Sequence, residues 1–163
     1  MNSKLHLLGW VILLACCGGC SCTPPPSPPP APPSVAGPLF DSIQRQEIET
    51  ATELLLKNPQ AFSAADAPYI FQLSEEDFVA LSSTQKGEVQ AQTIVVVGQV
   101  KTFIRAMLDQ AEQLAADDKQ EEAEQYYHAI GSFGQSLNTQ DHLLVFQQMG
   151  SAFQEVAKSK IQQ

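Results

Sequence analysis

In the middle of the chain apolar side chains recur at helical intervals: Val89, Thr93, Val96, Val100, Phe103, Met107, Ala111 and Leu114. Steps of three and four residues keep one face of an α-helix, so the pattern predicts a long helix from about Thr84 to Ala116. A second row, Ile94, Val97, Ile104 and Leu108, widens the stripe. An apolar face this wide belongs in the middle of a bundle. Thr93–Val97 is β-branched and has the composition of a strand, but helical spacing continues on both sides of it, and helix is the reading adopted. Gly87 and Gly98 each cost up to ~1 kcal/mol relative to Ala inside a helix. Close approach of a neighbouring helix is the expected reason for Gly98.

The same pattern extends in both directions. Asp117-Asp118-Lys119 is a polar turn. Gln120 to Leu137 follows as a helix with Ala123, Tyr126 or Tyr127, Ile130, Phe133 and Leu137 on its inner face. Asn138 or Thr139 is placed to cap a last helix carrying Leu143, Phe146, Gly150, Phe153, Ala157 and Ile161. Upstream, a helix capped by Asp41 or Ser42 is expected to run to Lys57, with Ile43, Ile48, Ala51 and Leu55 roughly on one face; Asn58-Pro59 ends it. Residues 59–73 show no usable periodicity, and Tyr69–Leu73 is too short an apolar run to assign. Ser74-Glu75-Glu76-Asp77 has a capping Ser and three acids, the signature of a helix start, with Phe78 and Leu81 as its buried side. Sequential helices joined by turns of a few residues pack as antiparallel neighbours. The expectation is therefore an all-α domain over residues 39–163, a small bundle or stacked helical hairpins of about four to five helices.

The first 38 residues follow other rules. Leu5–Ala15 is an apolar run behind a single basic residue, Lys4. A bilayer span needs ~20 residues, so this run is too short to cross and suits the core of a signal peptide. Nine of the eleven prolines lie in residues 23–38. Proline fixes φ and lacks an N–H, so this tract is expected to form a polyproline II spacer of about 50 Å when extended.

Charge narrows the choice of partner. Beyond the leader, 8 Lys and Arg face 18 Asp and Glu, a net charge of −10. Such a chain repels phosphate backbones and anionic lipid, so no nucleic-acid partner is expected and membrane attachment must come from elsewhere. All four cysteines lie between positions 16 and 22. The helical domain therefore has no disulfide and no thiol chemistry, and its stability rests on packing.

Leu13-Leu14-Ala15-Cys16 resembles the lipobox of bacterial lipoproteins, with an aliphatic residue at minus three, a small one at minus one and a cysteine. The resemblance implies that residues 1–15 are removed and that Cys16 carries fatty acyl chains of the palmitate class, the new amino group being acylated too. Leu14-Ala15-Cys16-Cys17 and Cys17-Gly18-Gly19-Cys20 are alternative frames, which rank Cys17 second and Cys20 third. Two or more acyl chains make a durable anchor, at ~0.8 kcal/mol per buried methylene. The expected address is a lipid anchor on the cell membrane or outer membrane, with the domain facing the periplasm or exterior. If the sorting habit of Gram-negative lipoproteins applies, the resemblance implies the outer membrane, because no Asp follows the acylated Cys. A second, more limited likeness is to a tetratricopeptide unit: Ala111, Ala123 and Tyr127 occupy its small and aromatic positions, but Gln110 and Ile130 depart from it and no 34-residue period follows. A plain helical hairpin is the reading adopted.

Candidate chemistry is sparse. His128 and His142 stand in no paired-ligand motif, and the neighbouring Asp141 points elsewhere on a helix. Asp117, Asp118, Glu121, Glu122 and Glu124 lack the alternating spacing and the glycine of a calcium loop. No nucleophile motif or phosphate loop occurs, so no catalytic residue, metal or cofactor is expected. The sequence reading is a non-enzymatic envelope scaffold that binds a partner protein through a helical groove, with a lipid- or small-ligand-binding bundle as the alternative. Val96, Val100 and Phe103 are the expected lining of such a groove or cavity.

Overall fold

The computed structural model describes residues 35–63 and 67–162. The expected leader over residues 1–15, the expected acylation sites Cys16, Cys17 and Cys20, and the proline tract through residue 34 lie outside the described residues. The described residues form seven α-helices and one 3-10 turn, with no strand, and the protein is all-α. The helices are α1 Ala36–Gln44, α2 Ile48–Lys57, α3 Tyr69–Gln72, α4 Glu75–Ala80, α5 Ser83–Ala116, α6 Gln120–Leu137 and α7 Leu144–Ile161; the 3-10 turn is Ala61–Ser63.

The N-terminal half departs from expectation in two places. Helix α1 begins at Ala36, inside the stretch expected to be polyproline II. Pro38 is tolerated because it sits in the first turn, where its missing N–H would have no intrahelical partner. The single helix expected from Asp41 to Lys57 is instead two, broken at Arg45–Glu47. Gln46 has φ 59°, Gln46 N–H donates to Ile43 O, and Glu47 N–H donates to Ser42 O. This is a Schellman motif with Gln at the position that glycine usually takes, so nothing in the sequence marks the break. The same motif ends α5: Asp118 has φ 59°, its N–H donates to Ala115 O, and Lys119 N–H donates to Leu114 O.

Helix α5 runs as the sequence predicts, for 34 residues, or ~50 Å at 1.5 Å per residue. Helices α6 and α7 have 18 residues each and cover only part of that length. They fold back as an antiparallel pair. Ala123 and Tyr127 of α6 pack on Ala111 near the C-terminal end of α5, and Lys160 Nζ reaches Glu112 Oε1 at 2.6 Å. Helix α5 also packs on α1, α2 and α3.

Helices α6 and α7 meet at a pair of glycines. A Cβ at Gly134 would lie 2.6 Å from Gly150 O and 3.0 Å from Phe153 Cβ; one at Gly150 would press on Gly134 O and lie 2.9 Å from Asn138 N. The close approach expected at Gly98 is thus found at Gly134 and Gly150, and a Cβ at Gly98 meets nothing within 4 Å.

The core is aromatic. Phe62 stacks on Phe71 at 4.4 Å between ring centroids; Phe71 also meets Phe40 edge-on at 5.4 Å and Phe146 at 4.8 Å, and Phe62 meets Phe133 at 5.2 Å. Two of these rings belong to residues 59–73, the stretch whose sequence is least periodic. Phe62 and Phe71 lie between Phe40 of α1 and Phe133 and Phe146 of α6 and α7. Rings at these separations and angles gain about 0.5–1.5 kcal/mol per pair beyond their burial.

Candidate functional site

The expected groove lining proves to be interior. Val96, Val100 and Phe103 are 1%, 0% and 1% exposed and belong to the main apolar core, and of the three Phe103 also lines the smaller of the two depressions described below. The outward side of the same helix carries the unexpected feature. Ile94 and Val95, neighbours of Val96, are 74% and 57% exposed. The second apolar row is split: Ile104 is buried where α5 is flanked by other helices, and Ile94 is bare where neighbours cover one side only.

Ile94 forms the ridge between two open depressions. The larger, about 410 Å³, is a groove between α4, the start of α5 and the start of α7. Glu75 and Phe78 form one wall; Val89, Gln90, Thr93 and Ile94 form the α5 wall; Leu143 and Val145 close it from α7. The hydroxyl Oγ1 of Thr93, in this wall, is enclosed and has no hydrogen-bond partner. The smaller depression, about 330 Å³, lies on the other side of Ile94, where Val95, Gly98 and Thr102 face Ile43, Gln46 and Ile48.

Each element of the larger groove is fixed by a local device. Helix α4 starts with the capping box expected at Ser74: Asp77 N–H donates to Ser74 Oγ at 3.1 Å and Ser74 N–H donates to Asp77 Oδ2. The Ser74 hydroxyl, donating to the Asp77 carboxylate at 2.6 Å, and then the Ser74 N–H hold that carboxyl below the usual Asp value. Phe78 and Leu81, expected as the buried side of α4, are half-buried. A second capping box, Ser82 with Gln85, opens α5 one residue before the predicted start.

Helix α7 begins at Leu144, several residues beyond the expected caps Asn138 and Thr139, and no side chain of its own caps it. Glu75 Oε1 accepts from Leu144 N–H at 2.7 Å, so α4 supplies the cap across the groove. A carboxylate there also suits the positive end of the helix. His142 locks the segment before it. The ring is 6% exposed and lies between two backbone carbonyls, Nδ1 facing Phe71 O and Nε2 facing Ser136 O at 2.9 Å. Gln147 Nε2 donates to His142 O at 2.7 Å. His142 is therefore a structural clasp joining the ends of α3 and α6. Its neighbour Asp141 is exposed, and His128 is exposed on α6.

The acids Asp117, Asp118, Glu121 and Glu122 are exposed at the α5–α6 turn and the start of α6. No group of three or more His, Cys, Asp or Glu among the described residues is arranged to hold a metal ion. No helix among the described residues is long and apolar enough to cross a membrane.

Fold and site together define a helical domain with a filled aromatic core and an open apolar groove on its surface. No protein-family model, curated protein or solved structure matches the chain.

Proposed function

We propose that this chain is a lipid-anchored interaction module of a bacterial envelope. In this reading acylation at Cys16 holds the chain at the membrane, the proline tract spaces the domain from it, and the groove between α4, α5 and α7 docks a partner protein. The observation that carries the docking role is Ile94, a large aliphatic side chain left 74% exposed between two depressions over a filled core. Contiguous exposed apolar surface of this kind marks interaction sites in soluble domains. The alternative, a small-ligand cavity around Val96 and Val100, is disfavoured by the packing of those two side chains in the core.

Two experiments test the reading. Intact mass of membrane-extracted protein is expected to show loss of the leader and acylation, which Cys16→Ser abolishes; persistence of an unmodified Met1 form refutes the anchor. A photo-crosslinking residue at position 94 is expected to trap a defined envelope protein, whereas one at exposed Gln125 on α6 does not. Equal trapping at both positions, or none, refutes docking at the groove.

A further inference from the structure

Two backbone carbonyls close on one imidazole in the interior. Nδ1 of His142 faces Phe71 O, in the last turn of α3, and Nε2 faces Ser136 O, in the last turn of α6, at 2.9 Å. A carbonyl oxygen only accepts hydrogen bonds, and a neutral imidazole carries a single N–H. Turning the ring over would set carbon against both oxygens. Only the doubly protonated ring donates at both contacts.

We infer that His142 is a proton-operated clasp, tying the ends of α3 and α6 by two donated hydrogen bonds when the ring is an imidazolium and by one when it is neutral. The surroundings fit a cation. Carbonyls in the last turn of a helix have no intrahelical partner, and those of α6 form the negative end of its dipole. Helix α3, the 3-10 turn and residues 129–150 contain no Lys or Arg, and Asp141, beside His142 in the chain, is the single acid among them. Tyr69, the titratable side chain of α3, is exposed. Glu75, Glu76 and Asp77 lie on α4, which reaches α7 through the Glu75 cap. The base of this region is Lys86, half-buried in the first turn of α5. Burying the cation is the opposing cost. The ring is 6% exposed, so a carbonyl left facing a bare ring nitrogen has no water to replace the lost donor.

The consequence reaches the groove. His142 immediately precedes Leu143, which with Val145 forms the α7 wall. Its own carbonyl accepts from Gln147 Nε2, one turn into α7. Loss of the proton releases one of the two ties that hold the segment before this wall. The second bond exists while the ring is protonated, so its contribution is present at acidic pH and is lost as rising pH removes the proton. The clasp stands whether or not the groove docks a partner.

The test reads the ring directly, by nitrogen-15 NMR of the full chain labelled at histidine, with signals assigned through His6→Gln and His128→Gln. At about pH 6 both ring nitrogens of His142 are expected to carry hydrogen, and at about pH 8 one is expected to be bare while the circular dichroism stays helical. Urea unfolding of wild type and of His142→Gln over the same range gives the second readout. Gln keeps a donor and does not titrate. The folded-to-unfolded ratio of wild type relative to the variant is expected to fall about tenfold across that range. Should His142→Gln not fold, the wild-type ring spectra decide alone. A ring bare at one nitrogen at both pH values, a ring doubly protonated at both, or parallel pH profiles for wild type and variant would each overturn the inference.

Discussion

Replacing Gly150 by Ala tests the packing of the C-terminal hairpin, because two opposed effects must be weighed. In an exposed helix interior Ala is favoured over Gly by about 0.5–1 kcal/mol. At Gly150 the new methyl would press on Gly134 O and lie 2.9 Å from Asn138 N and 3.0 Å from Leu137 Cβ. The first two are backbone atoms of α6 and its C-cap, so no rotamer change relieves the contact and the helices must separate. Overpacking of this kind costs typically about 1–3 kcal/mol. The clash therefore outweighs the propensity gain, with a net loss on the order of 1–2 kcal/mol. Gly98 provides the internal control: its added Cβ meets nothing within 4 Å, so Gly98→Ala should raise stability by about 0.5–1 kcal/mol. The assay is urea unfolding followed by far-ultraviolet circular dichroism on both variants, with the m-value checked against wild type. Opposite signs are expected from one chemical change at two helical sites. A Gly150→Ala variant as stable as Gly98→Ala would refute the close α6–α7 crossing.

Three further outcomes are expected. Gln46→Gly and Asp118→Gly each relieve a left-handed residue in a Schellman motif and should stabilise by up to ~1 kcal/mol in the same unfolding assay; unchanged or lower midpoints would contradict the assigned turns. His142→Ala leaves the buried Phe71 and Ser136 carbonyls without their ring partner and should cost about 2–4 kcal/mol, whereas His128→Ala on the exposed face should be near neutral. Asp77 has a depressed carboxyl value, so its contribution is present above the unfolded-state value and is lost as pH falls through the folded one. In an NMR titration Asp77 should titrate at lower pH in the wild type than in Ser74→Ala, and identical titration would remove the hydroxyl as the cause.

What was legible in the sequence follows the range of the forces involved. Helix α6 has the predicted ends, α5 differs by one residue at its start, and the Ser74 cap forms as expected, because periodicity, caps and turns are local. The break at Gln46 was hidden because a Schellman turn usually advertises itself with glycine and this one does not. The start of α7 was misplaced because its cap comes from Glu75, sixty-nine residues away in the chain. The groove was sought on Val96, Val100 and Phe103 because apolar spacing identifies a face without saying which part of it is covered.

By itself the sequence determined an all-α domain and a stapling-free core, because helical periodicity and the absence of domain cysteines are properties of residues in order. Only the tertiary structure decided that the unpatterned segment around Phe62 and Phe71 is the centre of the core. It also decided that the tight crossing is at Gly134 and Gly150 rather than Gly98, and that Ile94 is a surface ridge. The physical reason is common to all three: whether an apolar side chain is buried, and whether a missing Cβ matters, depends on which distant element arrives opposite it. Helix α5 is longer than the α6–α7 pair, and its second apolar row, continuous in sequence, is buried at Ile104 and exposed at Ile94.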